Sequence, residues 1–250
     1  MEEKANLDII RPVISLDGIA RDFFDGRQVR RVLEGIDLDF HAGELTIISG
    51  PSGSGKTTLL TIMALILSPT EGTVTLLGDT IEGESEDTLA TYRFEHYGFV
   101  FQNSALIPAL SVTENILMAS AVQGDRIPRE RREKAREIIE KLGLGEFGHV
   151  RSERLSGGQK QRVAIGRALI NDPVMILCDE PTSSLDVESS DLVLGTLKDL
   201  SREDRAIVLV THDPRVFPYG DRLIQLEDGR MRSDTGTTIE AGEPGKAEST

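Results

Sequence analysis

Three short runs of consecutive apolar residues are spaced along the chain. They are LTIIS at 45–49, VMILC at 174–178 and AIVLV at 206–210. Strands with one solvent-exposed face alternate between apolar and polar residues. These runs do not alternate, so they predict parallel strands covered by helices on both sides. Polar or glycine-rich residues follow each run, at the carboxyl end of the strand. That edge of a parallel sheet is where ligands usually bind.

Other segments alternate between apolar and polar residues, as a strand with one buried face does. They lie near Ile14 and at 36–40, 73–77 and 222–226. These segments predict an antiparallel β portion beside the parallel core. The fold class expected from both patterns is therefore α/β, with a mixed sheet.

The middle of the chain has a helical pattern instead. SVTE at 111–114 has the spacing of a capping box, which opens a helix. In the next helical stretch four apolar residues fall on one face: Ala135, Ile138, Ile139 and Leu142. Gly143 follows them as a stop signal. We therefore expect a single domain over 1–231, in which a helical subdomain (103–170) is inserted into an α/β core made of 12–102 and 171–231.

Three charged segments predict solvated surface rather than chemistry. The run DTIEGESED at 79–87 carries five carboxylates and no cation, which is typical of a solvated loop. The stretch 232–250 has a tail-like composition with Ile239 as its single large apolar residue, and is expected to be disordered. An arginine-rich helical face is interleaved with glutamates and is expected to face solvent; it comprises Arg129, Arg131, Arg132 and Arg136.

Composition narrows the functional classes. The 250 residues carry a net charge of −14, which disfavours broad binding to nucleic acid phosphates. The longest apolar run, 59–67, is about half of the roughly 18–20 residues that span a bilayer. A single cysteine, Cys178, leaves no internal disulfide and suits a reducing compartment. The acidic amino terminus lacks the layout of a secretion signal, so a cytosolic protein is expected.

A glycine-rich loop directly follows the first buried run and leads into a helix. Its sequence GPSGSGKTT fits the phosphate-binding pattern G-x-x-x-x-G-K-[ST] in the strand–loop–helix context that pattern requires. The candidate phosphate-binding residues are Gly50, Pro51, Ser52, Gly53, Ser54, Gly55, Lys56, Thr57 and Thr58. Backbone N–H groups and the helix N-terminus would face the phosphates. Lys56 would bridge the terminal phosphates, and the Thr57 hydroxyl would bind Mg²⁺.

Two adjacent carboxylates end the second buried run. Asp179 is a candidate Mg²⁺ ligand, through a water, if its strand neighbours the strand that precedes the glycine-rich loop. Glu180 is the candidate general base for an attacking water. A protein that used the nucleotide only as a switch could manage with the aspartate alone, so the pair favours hydrolysis.

Two further polar residues lie where strands end. His212 follows the third buried run, where contact with a terminal phosphate is expected. Gln102 ends GFVFQ, where the core passes into the helical subdomain. Its amide either senses Mg²⁺ and the attacking water or belongs to a plain polar linker; its position in the sequence leaves both open.

The segment LSGGQKQR at 155–162 has ligand-binding features but contains neither a base nor a metal ligand. Ser156 is placed to cap the following helix, and Gly157 and Gly158 leave backbone N–H groups open to an anion. Gln159 completes the polar set. Taken alone, the segment is a glycine-rich start of a helix, which is a common motif with no required ligand.

These stretches, taken in order, resemble the ATP-binding subunit of an ATP-binding cassette (ABC) transporter. GPSGSGKT is similar to the Walker A loop, GFVFQ to the Q-loop, LSGGQ to the signature and VMILCDE to the Walker B strand. SSLD at 183–186 resembles the D-loop, and His212 the switch histidine. The resemblance covers about residues 12–230 and implies the P-loop NTPase fold of this family. Within the family the lipoprotein-release and macrolide-export type is the most similar.

The resemblance implies hydrolysis of MgATP by a two-fold homodimer, in which the signature of one copy closes over the ATP of the other. Asp186 would then join the signature residues at the nucleotide, and either Phe23 or Phe24 would stack on adenine. Lys56, Glu180 and His212 would be catalytic, and Thr57, Gln102 and Asp179 would bind the metal. A membrane permease on a separate chain would hold the protein at the inner face of the cell membrane.

Two rival functions stay open at this level. An ATP-driven regulatory or cell-envelope signalling component would need identical nucleotide chemistry without moving cargo. A soluble ABC ATPase acting on nucleic acid or the ribosome usually has long coiled coils or tandem cassettes, which this chain does not have.

Overall fold

The computed structural model describes residues 11–26, 28–121 and 127–236 of the chain. The strands are β1 (Ile14–Asp25), β2 (Gln28–Phe40), β3 (Leu45–Ser49), β4 (Glu71–Leu76), β5 (Asp79–Ile81), β6 (Tyr97–Val100), β7 (Met175–Asp179), β8 (Ala206–Thr211), β9 (Arg222–Glu227) and β10 (Arg230–Asp234). The helices are α1 (Lys56–Met63), α2 (Glu86–His96), α3 (Val112–Met118), α4 (Arg129–Lys141), α5 (Gly157–Leu169) and α6 (Val187–Ser201). Short 3-10 turns cover Gly145–Phe147, Ser152–Arg154 and Pro214–Tyr219.

The larger sheet has six strands in the order β10-β9-β3-β8-β7-β6. Neighbours from β9 to β6 are parallel, and β10 pairs antiparallel with β9 at one edge. The three buried parallel strands predicted from the apolar runs are confirmed as β3, β7 and β8. Asp179 was expected near the glycine-rich loop if β7 were the direct neighbour of β3. The two strands are not neighbours, because β8 lies between them.

Two apolar cores explain why these strands lack polar alternation. On β3, Ile47 packs into a core that the helices α3 to α6 share, whereas Ile48 packs into a core beneath the smaller sheet. On β7, Ile176 and Leu177 divide in the same way. Since successive strand residues point to opposite faces, a strand buried on both faces must be apolar throughout.

The smaller sheet has four antiparallel strands in the order β2-β1-β4-β5. It confirms the strands predicted near Ile14 and at 36–40 and 73–77. Its inner residues share a core with α1 and with one face of the larger sheet. The antiparallel prediction for 222–226 is confirmed only in part, because β9 pairs antiparallel with β10 but parallel with β3, within the larger sheet. Alternation reports that one face of a strand is partly exposed; it carries no information about strand direction.

The region between 103 and 170 is helical where the structure describes it, with α3, α4, α5 and two 3-10 turns. Ser111 and Glu114 form the predicted capping box at the start of α3. The four apolar residues of α4 and its end are buried as predicted. Gly143 follows with φ of +63°, the left-handed conformation that ends a helix. The division into a core and an inserted helical subdomain remains our proposal.

Three segments of the predicted surface have more structure than expected. The acidic run 79–87 is exposed, but its ends form β5 and the start of α2 rather than one loop. The predicted tail begins inside β10, which reaches Asp234, and 237–250 lie outside the described residues. In the arginine-rich face, the Arg131 guanidinium donates to the Ile170 carbonyl, so it braces α4 on the end of α5. Within the described ranges, no helix is long and apolar enough to cross a membrane.

The helical region approaches the large sheet most closely at Gly98 of β6. A Cβ at this position would lie 2.8 Å from the carbonyl oxygen and 2.9 Å from the Cβ of Ala168 on α5. Glycine is therefore required for the backbone of α5 to reach the sheet. Gly195 in α6 has no atom within 4 Å of such a Cβ, and so provides a matched contrast.

We expect the same substitution to have opposite effects at these two glycines. Gly98→Ala should lower the free energy of unfolding by about 1–3 kcal/mol, because α5 must move away from β6. Gly195→Ala should raise it by about 0.5–1 kcal/mol, because alanine loses less backbone entropy in a helix. Urea unfolding of both variants provides the measurement. An unchanged stability for Gly98→Ala would mean that the contact yields at no cost.

Candidate active site

The loop between β3 and α1 depends on two glycines that no larger residue could replace without movement. A Cβ on Gly50 would lie 2.0 Å from the carbonyl oxygen of Leu226 on β9. A Cβ on Gly55, whose φ is +102°, would lie 2.7 Å from the Leu33 side chain of β2. The loop is thus pressed between both sheets, which fixes its backbone before any ligand binds.

Lys56, the first residue of α1, lies folded into this loop. Its Nζ donates to the carbonyl oxygens of Gly50 and Pro51, both at 2.8 Å. Burial lowers the pKa of Lys56, and the nearby charges of Glu180 and Asp179 oppose that shift. The ammonium therefore lies against the backbone of the loop, in a position to bind an oxygen of a phosphate group.

The loop fits a polyphosphate. The Ser54 hydroxyl is buried and has no hydrogen-bond partner among the described residues. Its neighbours are a lysine ammonium, several glycine N–H groups and the N-terminus of α1, all of which attract anions. The Thr57 side chain is exposed at the mouth of the loop.

A cleft of about 330 Å³ opens beside the loop. It is lined by Phe23, Arg30, Val32, Gly53, Gly55, Lys56, Thr57 and Thr58. The Arg21 guanidinium carbon lies 4.9 Å from the centre of the Phe23 ring, a cation–π contact that holds the ring in place. Phe24 points to the opposite face of β1, because successive strand residues alternate. Of the two aromatic candidates, the cleft therefore contains Phe23.

Arg30 is a cleft residue that sequence reasoning missed. It pairs with Phe23 in the register of β1 and β2, so both side chains lie on one face of the sheet. Within the part of the chain that the structure describes, Arg30 makes no ion pair, whereas the adjacent Arg31 contacts Asp22 and Glu71. The alternation of β2 could have suggested this placement once Phe23 had been chosen. An unpaired guanidinium in this cleft adds to its affinity for a polyanion.

Two carboxylates, Asp179 and Glu180, lie close enough to Lys56 to affect its pKa. Asp179 ends β7, and burial raises its pKa, as does the neighbouring Glu180, while Lys56 acts in the opposite direction. The strand β8 separates β7 from β3, but all three strands are parallel and in register, so Asp179 and the phosphate loop lie at the same edge of the sheet. Groups of three or more acidic, histidine or cysteine ligands are absent from the described ranges. A metal held here by Asp179 and the Thr57 hydroxyl would fill its shell with phosphate and water oxygens, as Mg²⁺ prefers.

Glu180 and His212 form a hydrogen-bonded pair. The Nδ1 of His212 lies 2.6 Å from Oε1 of Glu180. Glu180 has φ of +45°, an unusual conformation for a non-glycine residue, and its N–H donates to the Val210 carbonyl of β8. The second carboxylate oxygen of Glu180 does not take part in this contact with His212.

Gln102 lies in an exposed turn immediately after β6. Because β6 is the parallel neighbour of β7, Gln102 and Asp179 follow the same edge of the sheet. The structure thus places Gln102 at this edge, although Gln102 is not one of the residues that line the cleft. Its role in metal binding remains a proposal.

The segment 155–162 lies away from the cleft. Ser156 and Gln159 form a capping box at the start of α5, as the serine was expected to do. A Cβ on Gly158 would lie 2.7 Å from the Ser189 hydroxyl, so the segment packs on α6. Asp186 caps α6 by accepting from the N–H of Ser189 at 2.8 Å. The cleft lining comes from residues between 23 and 58, so this segment and Asp186 contribute nothing to it within one copy.

Comparisons with known proteins identify the family of the chain. A family model described as ABC transporter matches residues 33–183. The lipoprotein-releasing system ATP-binding protein LolD 1 of Caulobacter vibrioides is 44% identical over 223 residues, which are 89% of this chain and 95% of that protein. The macrolide export ATP-binding/permease protein MacB 1/2 of Paracoccus denitrificans is 42% identical over 235 residues. That match covers 94% of this chain but only 35% of the exporter, so the chain spans about a third of its length.

A solved structure has the same architecture. It is the dimeric post-hydrolysis state of the ATP-binding cassette MJ0796 bound to ADP and Pi, with a TM-score of 0.80 and 36% identity. The similarity covers 90% of this chain and 99% of that cassette. By the family model, by its relatives and by its fold, the chain belongs to the ABC transporter family.

Proposed function

We propose that this chain is an ATP-hydrolysing subunit that works as a homodimer and drives a membrane permease carried on a separate chain. The observation that carries the proposal is the separation of two halves of a site. The phosphate loop, with its cleft, lies on one part of the surface, and the Ser156–Gln159 segment lies on another. Each half has anion-binding features, and the lining of the cleft, as the described residues form it, does not include the Ser156–Gln159 segment.

The nucleotide occupies the cleft in one orientation. Phe23 stacks on adenine, and the loop from Gly50 to Thr58 holds the phosphates with Lys56 at their terminal oxygens. Thr57, Asp179 and Gln102 hold Mg²⁺, directly or through water. When bound there, Mg²⁺ would supply charge neutralisation at the terminal phosphates.

Hydrolysis depends on Glu180. Its carboxylate orients a water toward the terminal phosphorus and accepts a proton from it while the water oxygen bonds to phosphorus. The bond from phosphorus to the bridging oxygen breaks, and that oxygen leaves with ADP. His212 holds Glu180 through Oε1, and so keeps the second carboxylate oxygen available for the proton. Lys56 and the loop amides stabilise the charge on the transferring group.

Two copies complete each site. The signature residues Ser156 to Gln159 of one copy close over the nucleotide of the other, with Asp186 beside them, in an isologous dimer. ATP then joins the two copies, and hydrolysis releases them. Support comes from the similar cassette of known structure, which is a dimer bound to ADP and Pi.

The permease contacts a groove beside Gln102. The groove has a volume of about 470 Å³ and lies between β6 and the helical region. It is lined in part by Phe94, Phe99 and Phe101, and Ile66 lies at its rim with 58% of its surface exposed. An apolar groove of this kind suits an apolar segment of a partner. The chain would act at the cytoplasmic face of the cell membrane.

The cargo class follows from the relatives by analogy. One relative is named for lipoprotein release and another for macrolide export, so we propose outward or envelope-directed work for this chain. In both cases the permease would determine the cargo, since the residues of the nucleotide site recognise only ATP.

Removing the general base should separate binding from turnover. We expect Glu180→Gln to bind ATP, to remain a dimer, and to hydrolyse at least about a hundredfold more slowly, because an amide cannot accept the proton. Gel filtration with ATP and a phosphate-release assay provide the two measurements.

The matched control is Glu227→Gln, which removes the same charge from an exposed position at the end of β9, where Glu227 pairs with Arg232. It should hydrolyse ATP at the parent rate. Turnover near the parent rate in Glu180→Gln would rule out Glu180 as the base.

The groove has its own test. We expect Ile66→Asp to prevent the chain from sedimenting with membranes that contain its permease, because a carboxylate would be desolvated at an apolar contact. The purified variant should retain the basal ATPase rate. Met231→Asp serves as the control, since Met231 is 39% exposed and lies on β10, far along the sheet from this groove. Equal sedimentation of both variants would place the permease elsewhere.

A further inference from the structure

The turn that follows Gln102 is held in an unfavourable backbone conformation. Ser104 has φ of +55° and Ala105 has φ of +46°, and neither residue is a glycine. Consecutive residues of this kind occupy the left-handed region only where surrounding contacts hold them there. The contacts that hold this turn therefore also determine where Gln102 lies.

Gln161 of α5 supplies the first of these contacts. Its Nε2 donates to the Phe101 carbonyl at 3.1 Å, and its Oε1 accepts from the Ser104 hydroxyl at 2.5 Å. Only 1% of Gln161 and 6% of Ser104 are exposed. The buried Gln161 amide thus holds Phe101 before Gln102 and Ser104 after it, and so restricts where Gln102 can lie. In such a buried network each lost partner leaves another group unsatisfied.

Arg167, further along the same helix, supplies the second contact. Its Nη2 donates to the Ser104 carbonyl at 2.8 Å, and its Nη1 donates to the Ala105 carbonyl. Burial lowers the pKa of Arg167. Its guanidinium is used entirely on this turn within the described ranges, where it forms no ion pair with a carboxylate. A half-buried guanidinium thus donates to the carbonyls of both residues that have positive φ.

The helix that bears these side chains begins with the signature segment. Ser156 caps α5, Gln161 lies little more than one turn further on, and Arg167 lies near its end. A helix of this length moves as a rigid rod. Any displacement of the signature segment must therefore displace Gln161 and Arg167, and the turn that they hold.

We propose that Gln161 and Arg167 are positioning residues that fix Gln102 relative to the signature segment, so that closure of the dimer on ATP sets the place of the Gln102 amide. This inference rests on the proposed function, because it acts through the roles given there to Gln102 and to the signature. Neither residue touches the nucleotide. Their effect on hydrolysis passes through Gln102 alone.

A double-mutant cycle on kcat tests the proposal. The variants are Gln161→Met, which keeps the side-chain volume but not the amide, Gln102→Ala, and the two combined. We expect each single change to lower kcat by at least about tenfold, since a small misplacement of a positioned group is costly. The combined variant should be no slower than Gln102→Ala, because Gln161 has nothing left to position. Multiplied effects, or an unchanged kcat in Gln161→Met, would overturn the proposal.

A matched variant separates positioning from loss of stability. Asn171 follows α5 and its Nδ2 donates to the Phe94 and Ala119 carbonyls, so it braces the same helix without a hydrogen bond to the Gln102 turn. Because Asn171 also lines the groove proposed for the permease, kcat is compared on the purified chain without a permease. We expect Asn171→Met to lower Tm to an extent similar to Gln161→Met while kcat is retained. Equal losses of kcat in the two variants would show that Gln161 acts only through stability.

Arg167 gives an independent readout that does not require Gln161→Met to fold. Arg167→Gln should raise the Mg²⁺ concentration at half-maximal ATPase, while the affinity for ATP without Mg²⁺ stays constant. Arg167→Lys retains one cationic donor and should restore part of the loss. An unchanged Mg²⁺ dependence in Arg167→Gln would contradict the inference. If the parent chain has no ATPase that Glu180→Gln removes, the proposed function fails; if it has one, these variants test the inference alone.

Discussion

The parallel pairing of β3, β8, β7 and β6 is the constraint on which the site depends. In register, Ser49 lies beside Thr211, Val210 beside Asp179, and Cys178 beside Val100. Parallel strands end at the same edge, so each residue that follows a strand there enters a common space. The phosphate loop, the carboxylate pair, His212 and Gln102 come from four distant parts of the chain, and this register alone brings them together.

The helix α5 links the signature segment to this edge of the sheet. It packs against β6 at Gly98, where no side chain fits, and it carries the signature segment at its start. The same helix that presents the signature outward holds the Gln102 turn inward through Gln161. In the proposed dimer, α5 would therefore contact the nucleotide of the second copy through its start and the Gln102 turn of its own copy through Gln161. The arrangement suits a machine in which assembly and chemistry must depend on one another.

Much of this was predictable because each feature is local. The apolar runs predicted β3, β7 and β8, since burial on both faces removes polar residues from a strand. The glycine-rich loop and the capping boxes at Ser111 and Ser156 are set by neighbours a few residues away. The position of β8 between β3 and β7 could not be predicted, because strand order depends on how the chain crosses the sheet. For the same reason the sequence did not predict that β9 lies in the larger sheet and pairs parallel with β3.

The missed residues share another cause. Arg30 enters the cleft through its register with Phe23, and the choice of Phe23 over Phe24 depends on which face of β1 meets the loop. Gln161 was interpreted only as part of a helix, because its partner Ser104 lies 57 residues away in the sequence. Contacts of long range between polar side chains leave no periodic trace in a single sequence.

The central claim is that each site is shared between two copies, and complementation tests it most directly. One chain carries Lys56→Ala, which disables the phosphate loop, and the other carries Gly157→Asp, which places a negative charge in the signature. Each variant alone should be inactive. Mixing the two variants should restore hydrolysis, because a mixed dimer joins the intact phosphate loop of one copy to the intact signature of the other. A mixture that forms dimers yet stays inactive would contradict the shared site.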